Sequence, residues 1–428
     1  MAGGQTIEKY ARGRPSRIML PHVTTRLGSR FDKLSLAAGI SNIGDGVMGA
    51  AFPLLVASLT RDPLLVAGAT LVGRLPWFLF ALISGALVDR MDRRRVMILT
   101  DSIRAIGVGL FALGVGTGDV GIGTVYLVAF GLGLAETFFD TSAEAFTPTL
   151  VEPDQLAAAN GRLQGLEWVG GSFVGPPIGA ALFAMTASLP FLIDAGSFAV
   201  AALFVAVIPG VFRSDRSTRT TIRSDIAVGL RWLWGQRVVR TLALMAGTTN
   251  MFIFGIISIF VLFAQDILGV PDASFGILLA ALGVGGLAGA LLAPRMVARI
   301  GSGNTLRVAV SVQTLAVAVL GTTSNAWLAG VLMAIFGFLT TSWNVVAVSL
   351  RQGLTPDAMR GRVAGASRLL AWGTQPIGAL AGGAVAAAFG LRAPFFVAAG
   401  AFVVMLVLTW RVISNASIEA ARSGSPGE

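Results

Sequence analysis

The sequence predicts an all-α integral membrane protein: twelve transmembrane helices in two pseudo-symmetric six-helix bundles, with both termini cytoplasmic. Three observations lead there: the composition, the placement of the basic residues, and an echo between the two halves of the chain. Of the 428 residues, 54% are hydrophobic and only 13% charged, and the mean hydropathy is +0.77. A soluble chain carries about twice that charge density.

Apolar runs long enough to span about 30 Å of hydrocarbon occur at 34–59, 64–88, 96–117, 122–147, 158–186, 190–211, 241–264, 274–297, 304–321, 326–350, 361–388 and 391–413. The links between them alternate in charge. Twenty-eight of the 32 basic residues fall in the N-terminal tail, in alternate links and in the C-terminal tail, whereas the opposite links hold only Arg61 and Arg392. Basic loops stay on the cytoplasmic side, which puts both termini there and explains the net charge of +10 without nucleic acid. The chain divides into a cytoplasmic tail (1–33), an N-terminal bundle (34–211), a linker (212–240), a C-terminal bundle (241–413) and a second tail (414–428). Residues 1–33 lack the order of a signal peptide.

In the linker, Ser224-Asp225 can cap a short helix in which Ile226, Leu230 and Leu233 recur at helical spacing. With Trp232, Trp234 and the flanking arginines, this reads as an amphipathic helix on the inner membrane face that tethers the two halves. The halves repeat one another at offsets of 199 to 204 residues. Gly85-Ala-Leu-Val-Asp89-Arg90-Met91 pairs with Gly289-Ala-Leu-Leu-Ala293-Pro294-Arg295, and Pro177-Ile-Gly179-Ala180 pairs with Pro376-Ile-Gly378-Ala379. Duplication of a six-helix unit is a mark of transporters, whose substrate lies between the halves near the bilayer midplane.

The stretch Gly85–Arg95, GALVDRMDRRR, closes the second span with a small residue, the carboxylates Asp89 and Asp92, and four arginines. It resembles the loop between spans two and three of the major facilitator superfamily, Gly-x-Leu-x-Asp-Arg-x-Gly-Arg-Arg, with Asp92 where glycine is usual. Gly171-Ser-Phe-Val-Gly175-Pro176-Pro177-Ile-Gly179 is similar to that family's antiporter motif in span five. Asn42-Ile-Gly-Asp45, Leu75-Pro76 and Asp194-Ala-Gly-Ser197-Phe198 resemble the bacterial branch that exports siderophores, macrolides and multiple drugs. The resemblance implies a proton-driven antiporter acting as a monomer. It also implies a conformational latch of Gly85, Asp89, Arg90, Arg93, Arg94 and an acid at the end of span four, Glu144. Asp89 would sit against the dipole at the start of span eleven, near Gly361. The small residues of span five would pack a bent helix tightly enough to prevent leaks.

Several charges lie deep in predicted spans. At about 1.5 Å per residue, Asp45, Arg74, Glu136 and Glu167 come near the midplane, where an ionisable group costs about 2.5 kcal/mol or more unless paired or wetted. Arg104 and Asp101 lie closer to the cytoplasm, and Glu136, Asp140 and Glu144 form an i, i+4, i+8 ladder on one face of span four. The sole histidine, His22, is in the tail, so a proton relay would rest on carboxylates. Proton coupling through Asp45, Arg74, Arg104, Glu136, Asp140 and Glu167 is one reading. Charge neutralisation, with Asp45 and Glu136 merely balancing Arg74 and Arg104, is the other. The C-terminal half offers polar rather than titratable groups, so Asn250, Gln313, Trp343, Asn344 and Gln375, with Asn42, are the expected substrate-cavity residues.

The sequence has no cysteine and no Gly-x-x-x-x-Gly-Lys-Ser/Thr loop. It therefore speaks against thiolate metal sites, ATP coupling and an enzyme, and no cofactor beyond a proton gradient is expected. The expected function is export of a small amphipathic compound across the bacterial inner membrane. An importer or symporter on the same fold, or a transport-inactive scaffold or receptor, are the alternatives. Thirty of the 32 basic residues are arginine, a compositional mark of a GC-rich host.

Overall fold

The computed structural model describes residues 27–88, 90–210, 212 and 222–423, without the side chains of 81, 82, 86, 222–226 and 358. Asp89 and the tail with His22 therefore lie outside the described residues, as do the Ser224 and Asp225 side chains expected to cap the linker helix. Within that range every regular element is helical.

The N-terminal half comprises α1 (Ser29–Leu59), α2 (Pro63–Val88), α3 (Arg93–Thr117) and α4 (Ile122–Phe146), then α5 (Leu156–Glu167), α6 (Gly175–Met185) and α7 (Leu189–Ala206). The linker helix α8 (Ile222–Gly235) leads into α9 (Arg237–Ile257), the short α10 (Phe260–Leu262) and α11 (Asp272–Ile300). After these come α12 (Ser302–Thr322), α13 (Ala326–Leu354), α14 (Arg360–Trp372), α15 (Gln375–Phe389), α16 (Ala393–Thr409) and α17 (Asn415–Ser423). Among the described residues, ten helical segments are long and apolar enough to cross a membrane. The eleventh expected span is interrupted between α14 and α15, and the twelfth, α16, has 17 residues.

Three expected spans are thus broken rather than continuous, and each break has a local cause. In span five a π-helical stretch, Trp168–Val174, joins α5 to α6. Pro176 and Pro177 supply no N–H to the turn before them, and a widened turn absorbs the mismatch. Between α14 and α15, Pro376 has the same effect. The carbonyl of Ala371 accepts hydrogen bonds from Asn250 Nδ2 (2.8 Å) and Thr374 Oγ1 (3.1 Å). At the end of α9, Ser258 Oγ donates towards the carbonyls of Gly255 (2.9 Å) and Ala379 (3.2 Å). Backbone freed at membrane depth is satisfied by side chains, as the bilayer requires.

The same neighbours recur in both halves. α1 packs on α6 and α7, α2 on α4, and α3 on α4 and α7; α9 packs on α15 and α16, α11 on α13, and α12 on α13 and α16. The Pro-Ile-Gly-Ala echo has a geometric counterpart: a Cβ at Gly179 would overlap the Val47 carbonyl of α1, and one at Gly378 would overlap the Met251 carbonyl of α9. In each half the glycine lets two helices meet backbone to backbone.

Between the halves, α2 packs on α15, and α6 with the π-helical stretch packs on α11. A Cβ at Gly276 would overlap the Pro176 carbonyl, and one at Gly383 would crowd Ala67 and the Pro63 carbonyl. These contacts lie at the end of the molecule that carries Arg61, whose guanidinium pairs with Asp266 and bonds Gln265. Gln265 in turn donates to Asp272 (2.7 Å). At the opposite, basic end, α5 and α14 make no comparable contact with α11 and α2. The halves pack helix against helix at one end and touch through single side-chain pairs, such as Glu144–Arg368, at the other.

Helix α8 departs from the sequence expectation. Leu233 is fully buried with Val239, Ala243, Val363 and Ala366, and a Cβ at Gly229 would overlap the Arg362 carbonyl. Its apolar face therefore docks on α14 and α9 instead of lying wholly on lipid, although Trp234 stays half exposed.

Candidate functional site

Five helices of the N-terminal half bring carboxylates towards one arginine. Arg104 of α3 is 4% exposed, and its guanidinium lies 5.1 Å from the ring centroids of both Phe139 and Phe198. Cation–π contacts of this kind hold a desolvated guanidinium without neutralising it. Asp101, one turn away and fully buried, lies 3.7 Å from Arg104 Nη1. Asp45 (α1), Asp101 (α3), Asp140 (α4) and Asp194 (α7) all feel the charge of Arg104. Glu136 in turn acts on Asp45, Asp140 and Glu167 (α5).

The cluster has a dry rear and a wet front. Asp101, Arg104 and Asp194 are buried, and both Asp101 oxygens, Arg104 Nη2 and Asp194 Oδ2 lack a hydrogen-bond partner among the described residues. Asp45, Glu136, Asp140 and Glu167 have exposed side chains, although protein surrounds Asp45 and Asp140. Glu167 accepts a hydrogen bond from Gln164 Nε2 (2.8 Å). Such a front meets the membrane cost of ionisable groups by hydration, and the rear meets it by pairing. The close pass of α1 over α7 makes this possible: a Cβ at Gly44 would overlap Ser197 Oγ and stand 2.6 Å from Asp194 Oδ1.

The small residues of span five form the wall beside this cluster. A Cβ at Gly46 would stand 2.6 Å from the Gly170 carbonyl oxygen, and one at Gly175 would stand 2.6 Å from Gly46 Cα. Pro176 lies in the first turn of α6 and offers its carbonyl to α11 at Gly276. Gly171 is less constrained, since its nearest neighbour, the Asn42 carbonyl, would be 3.7 Å from a Cβ.

Two bundles of matching internal packing, joined along α2–α15 and α6–α11 around a polar interior, are an architecture that known proteins share. The sequence profile of the transmembrane secretion effector family matches residues 28–425. This chain belongs to that family of the major facilitator superfamily. The multidrug efflux pump Tap of Mycolicibacterium fortuitum is 31% identical over 370 residues, covering 84% of this chain and 90% of the pump. The enterobactin exporter EntS of Citrobacter koseri is 27% identical over 342 residues, covering 78% of this chain and 80% of the exporter. Among solved structures, the nucleoside transporter NupG superposes with a TM-score of 0.71 at 12% identity, covering 90% of this chain and all of that one, a likeness of fold. The protein is accordingly a multi-pass protein of the bacterial inner membrane, in a family whose relatives are transporters.

The other residues singled out in this major facilitator sequence go several ways. Arg74 was expected either to take part in proton coupling or to balance Asp45 and Glu136. It lies instead 5.6 Å over the Phe254 ring of the other half and is not among the charges acting on the acids. Glu144, expected in the latch with Arg93, here pairs with Arg368 of α14 (3.2 Å), a partner beyond the reach of sequence spacing. Arg93 Nε is buried without a partner among the described residues. Arg94 caps α7, donating to the carbonyls of Val205 (3.2 Å), Ala206 and Gly210 (3.5 Å). Asp92, the residue that replaces glycine, caps α3 through the Arg95 N–H and accepts from the Phe212 N–H (3.1 Å). Arg90 is exposed, and nothing crowds Gly85.

Of the expected cavity residues, Asn344 is exposed, while Gln375 and Asn42 are partly buried. Asn250 and Gln313 are engaged in the scaffold, the first at the α14 break and the second, 3% exposed, on Thr340 Oγ1 (3.1 Å). Trp343 Nε1 is buried without a partner among the described residues. Two groups escaped the sequence reading. Asp194 was noted only as part of a family pattern, and nothing in its spacing points to Arg104. Trp77 and Trp372 meet across the halves with centroids 4.6 Å apart, a pairing that no single helix pattern reveals.

Proposed function

We propose that this protein exports a small amphipathic compound by proton antiport, through alternating access between two six-helix halves, with twelve spans and both termini cytoplasmic. One observation carries the reading: four solvent-reached carboxylates, Asp45, Glu136, Asp140 and Glu167, stand before a buried Asp101–Arg104–Asp194 core in one half only. Carboxylates close enough to feel one another titrate as a set. A set open first to one side of the membrane and then to the other exchanges protons with each side in turn. The export direction is supported by the efflux relatives.

In this state the Arg61 end is sealed and the basic end is open, so the acids face the cytoplasm. Substrate enters there as protons leave. The rocking of the halves then breaks the Arg61–Asp266 contact and draws the basic ends together around the Glu144–Arg368 pair, which already bridges α4 and α14 in this state. Protons loaded from the periplasm reset the cycle. Twelve spans follow if α14–α15 and α16 cross as well, which the repeated packing supports.

Uptake of a panel of amphipathic compounds into everted vesicles, with and without a proton ionophore, tests the proposal. Uptake that collapses with the ionophore, and that is lost in Asp45→Asn/Glu136→Gln, is the expected result. Wild-type gradient-driven rates in that double variant would sink the proton assignment, and uptake only into right-side-out vesicles would reverse the direction.

A further inference from the structure

At the basic end, the start of α9 and the end of α16 enclose a crevice of about 400 Å³ that the transport reading does not use. Its polar lining is Arg237 and Arg411, and its apolar lining includes Val407, Leu408 and Val412. Both arginines are exposed; their carbonyls accept from Thr241 Oγ1 and Ser417 Oγ, but neither guanidinium has an ion-pair or hydrogen-bond partner among the described residues. Val407 and Leu408 are 70% and 74% exposed, so the apolar side of the crevice opens outward. Trp410 stands between the two parts. Its carbonyl accepts from Arg307 Nε (3.1 Å), and its ring lies 4.4 Å from the Arg307 guanidinium. A third positive charge is thereby fixed beside the first two. Gln236 provides no side-chain cap to α9, whose positive dipole end begins at Arg237.

We propose that this crevice binds the headgroup of an anionic phospholipid, with its phosphate between Arg237 and Arg411 and an acyl chain along Val407 and Leu408. The combination is what such a lipid requires. Unpaired guanidiniums at the cytoplasmic interface attract phosphate. An indole sits at headgroup level, and exposed aliphatic side chains on the same helix continue into hydrocarbon. A soluble anion would use the arginines alone, whereas the aliphatic flank is specific to a lipid. The bound lipid ties the feet of α9 and α16 together next to α8, which holds the cytoplasmic arm α14.

Native mass spectrometry of the purified full chain tests this, with phosphatidylglycerol, phosphatidylcholine or inorganic phosphate added to the protein. The wild type is expected to retain phosphatidylglycerol, and Arg237→Gln/Arg411→Gln to bind it roughly 30-fold more weakly, the effect of removing two interfacial arginines. Arg237→Lys/Arg411→Lys should keep the preference, and Arg30→Gln, on an exposed turn of α1, should not disturb it. Equal melting temperatures of wild type and the glutamine variant in phosphatidylcholine would show that the fold is intact. Equal phosphatidylglycerol retention in the glutamine variant overturns the proposal. So does phosphatidylcholine retained as well as phosphatidylglycerol, or inorganic phosphate that competes the lipid away at equal concentration.

Discussion

Replacing Arg61 with alanine removes the one ion pair found across the sealed end among the described residues, and its effect can be worked out. Arg61 and Asp266 are 51% and 40% exposed, so their pairing contributes about 0.2–1 kcal/mol after solvent screening. The hydrogen bond to Gln265 adds about 0.5–1.5 kcal/mol, towards the lower end at this exposure. Together they favour the sealed state by about 1–2 kcal/mol, and they contribute nothing once the halves have parted there. Their loss should raise the ratio of outward-open to sealed molecules about 5- to 30-fold. The chain has no cysteine, so spin labels at Asp119→Cys and Thr322→Cys report on this end without background. Both positions are exposed, Asp119 in the loop between α3 and α4 and Thr322 at the end of α12, one in each half. Pulsed electron resonance should show the longer-distance population growing in Arg61→Ala and receding in the charge swap Arg61→Asp/Asp266→Arg. A distance distribution that does not move in Arg61→Ala, or one that the swap leaves as open as the single variant, would refute the assignment of this network as a lock.

Arg104→Gln strands Asp101 and Asp194 in a dry interior and should cost about 3–5 kcal/mol. The readout is lost yield and a lower melting temperature in detergent, with Arg104→Lys falling less. Gly179→Val drives a side chain into the Val47 carbonyl. Overpacking there should cost about 1–3 kcal/mol and lower transport more than surface expression, which vesicle uptake normalised to protein level will show. Asp92→Ala removes the α3 cap and a partner of the Phe212 N–H. A loss of about 0.5–2 kcal/mol should appear as faster hydrogen exchange confined to the first turn of α3 and residue 212.

The positions of the spans were legible because the bilayer imposes one length and one charge rule on any sequence. Arg93, Arg94 and Arg95 could not lie in hydrocarbon, so the turn before α3 was fixed by charge. The positions of the breaks were half legible. Pro176 and Pro376 announce a disturbed helix, but whether the result is a π-helical stretch or a two-residue gap depends on which side chains satisfy the freed carbonyls. Asn250 does so from α9 and Thr374 from within the gap itself. Partners were the least legible feature. The depth of Arg74 suggested a counter-ion for Asp45, yet depth along a helix says nothing of azimuth, and Arg74 faces Phe254. The α4 ladder illustrates both outcomes: its i, i+4 spacing put Glu136 and Asp140 correctly on one face, while the third rung, Glu144, meets an arginine 224 residues away.

Four consecutive residues of α1 explain why the acids and the antiporter glycines belong to one device. Gly44 presses on Asp194 and Ser197 of α7, and Asp45 projects into the wet front. Gly46 abuts the Gly170 and Gly171 carbonyls, and the Val47 carbonyl abuts Gly179. The far side of that same span-five segment bears on α11, where Cβ atoms at Gly276, Gly283 and Gly286 would meet Pro176, Ser172 and Trp168. Close-packed backbones cannot yield by rotating side chains, so a displacement of α1 at Asp45 has to be taken up by span five and passed to the opposite half. Spatial continuity is not itself coupling. It does dictate where coupling would have to run, because no other helix of the N-terminal half touches both the carboxylate cluster and α11 so closely. Glycine at 46, 175, 179 and 276 keeps that path stiff, and Asp45 on α1 and Glu167 at the head of the π-helical stretch are titratable groups set upon it.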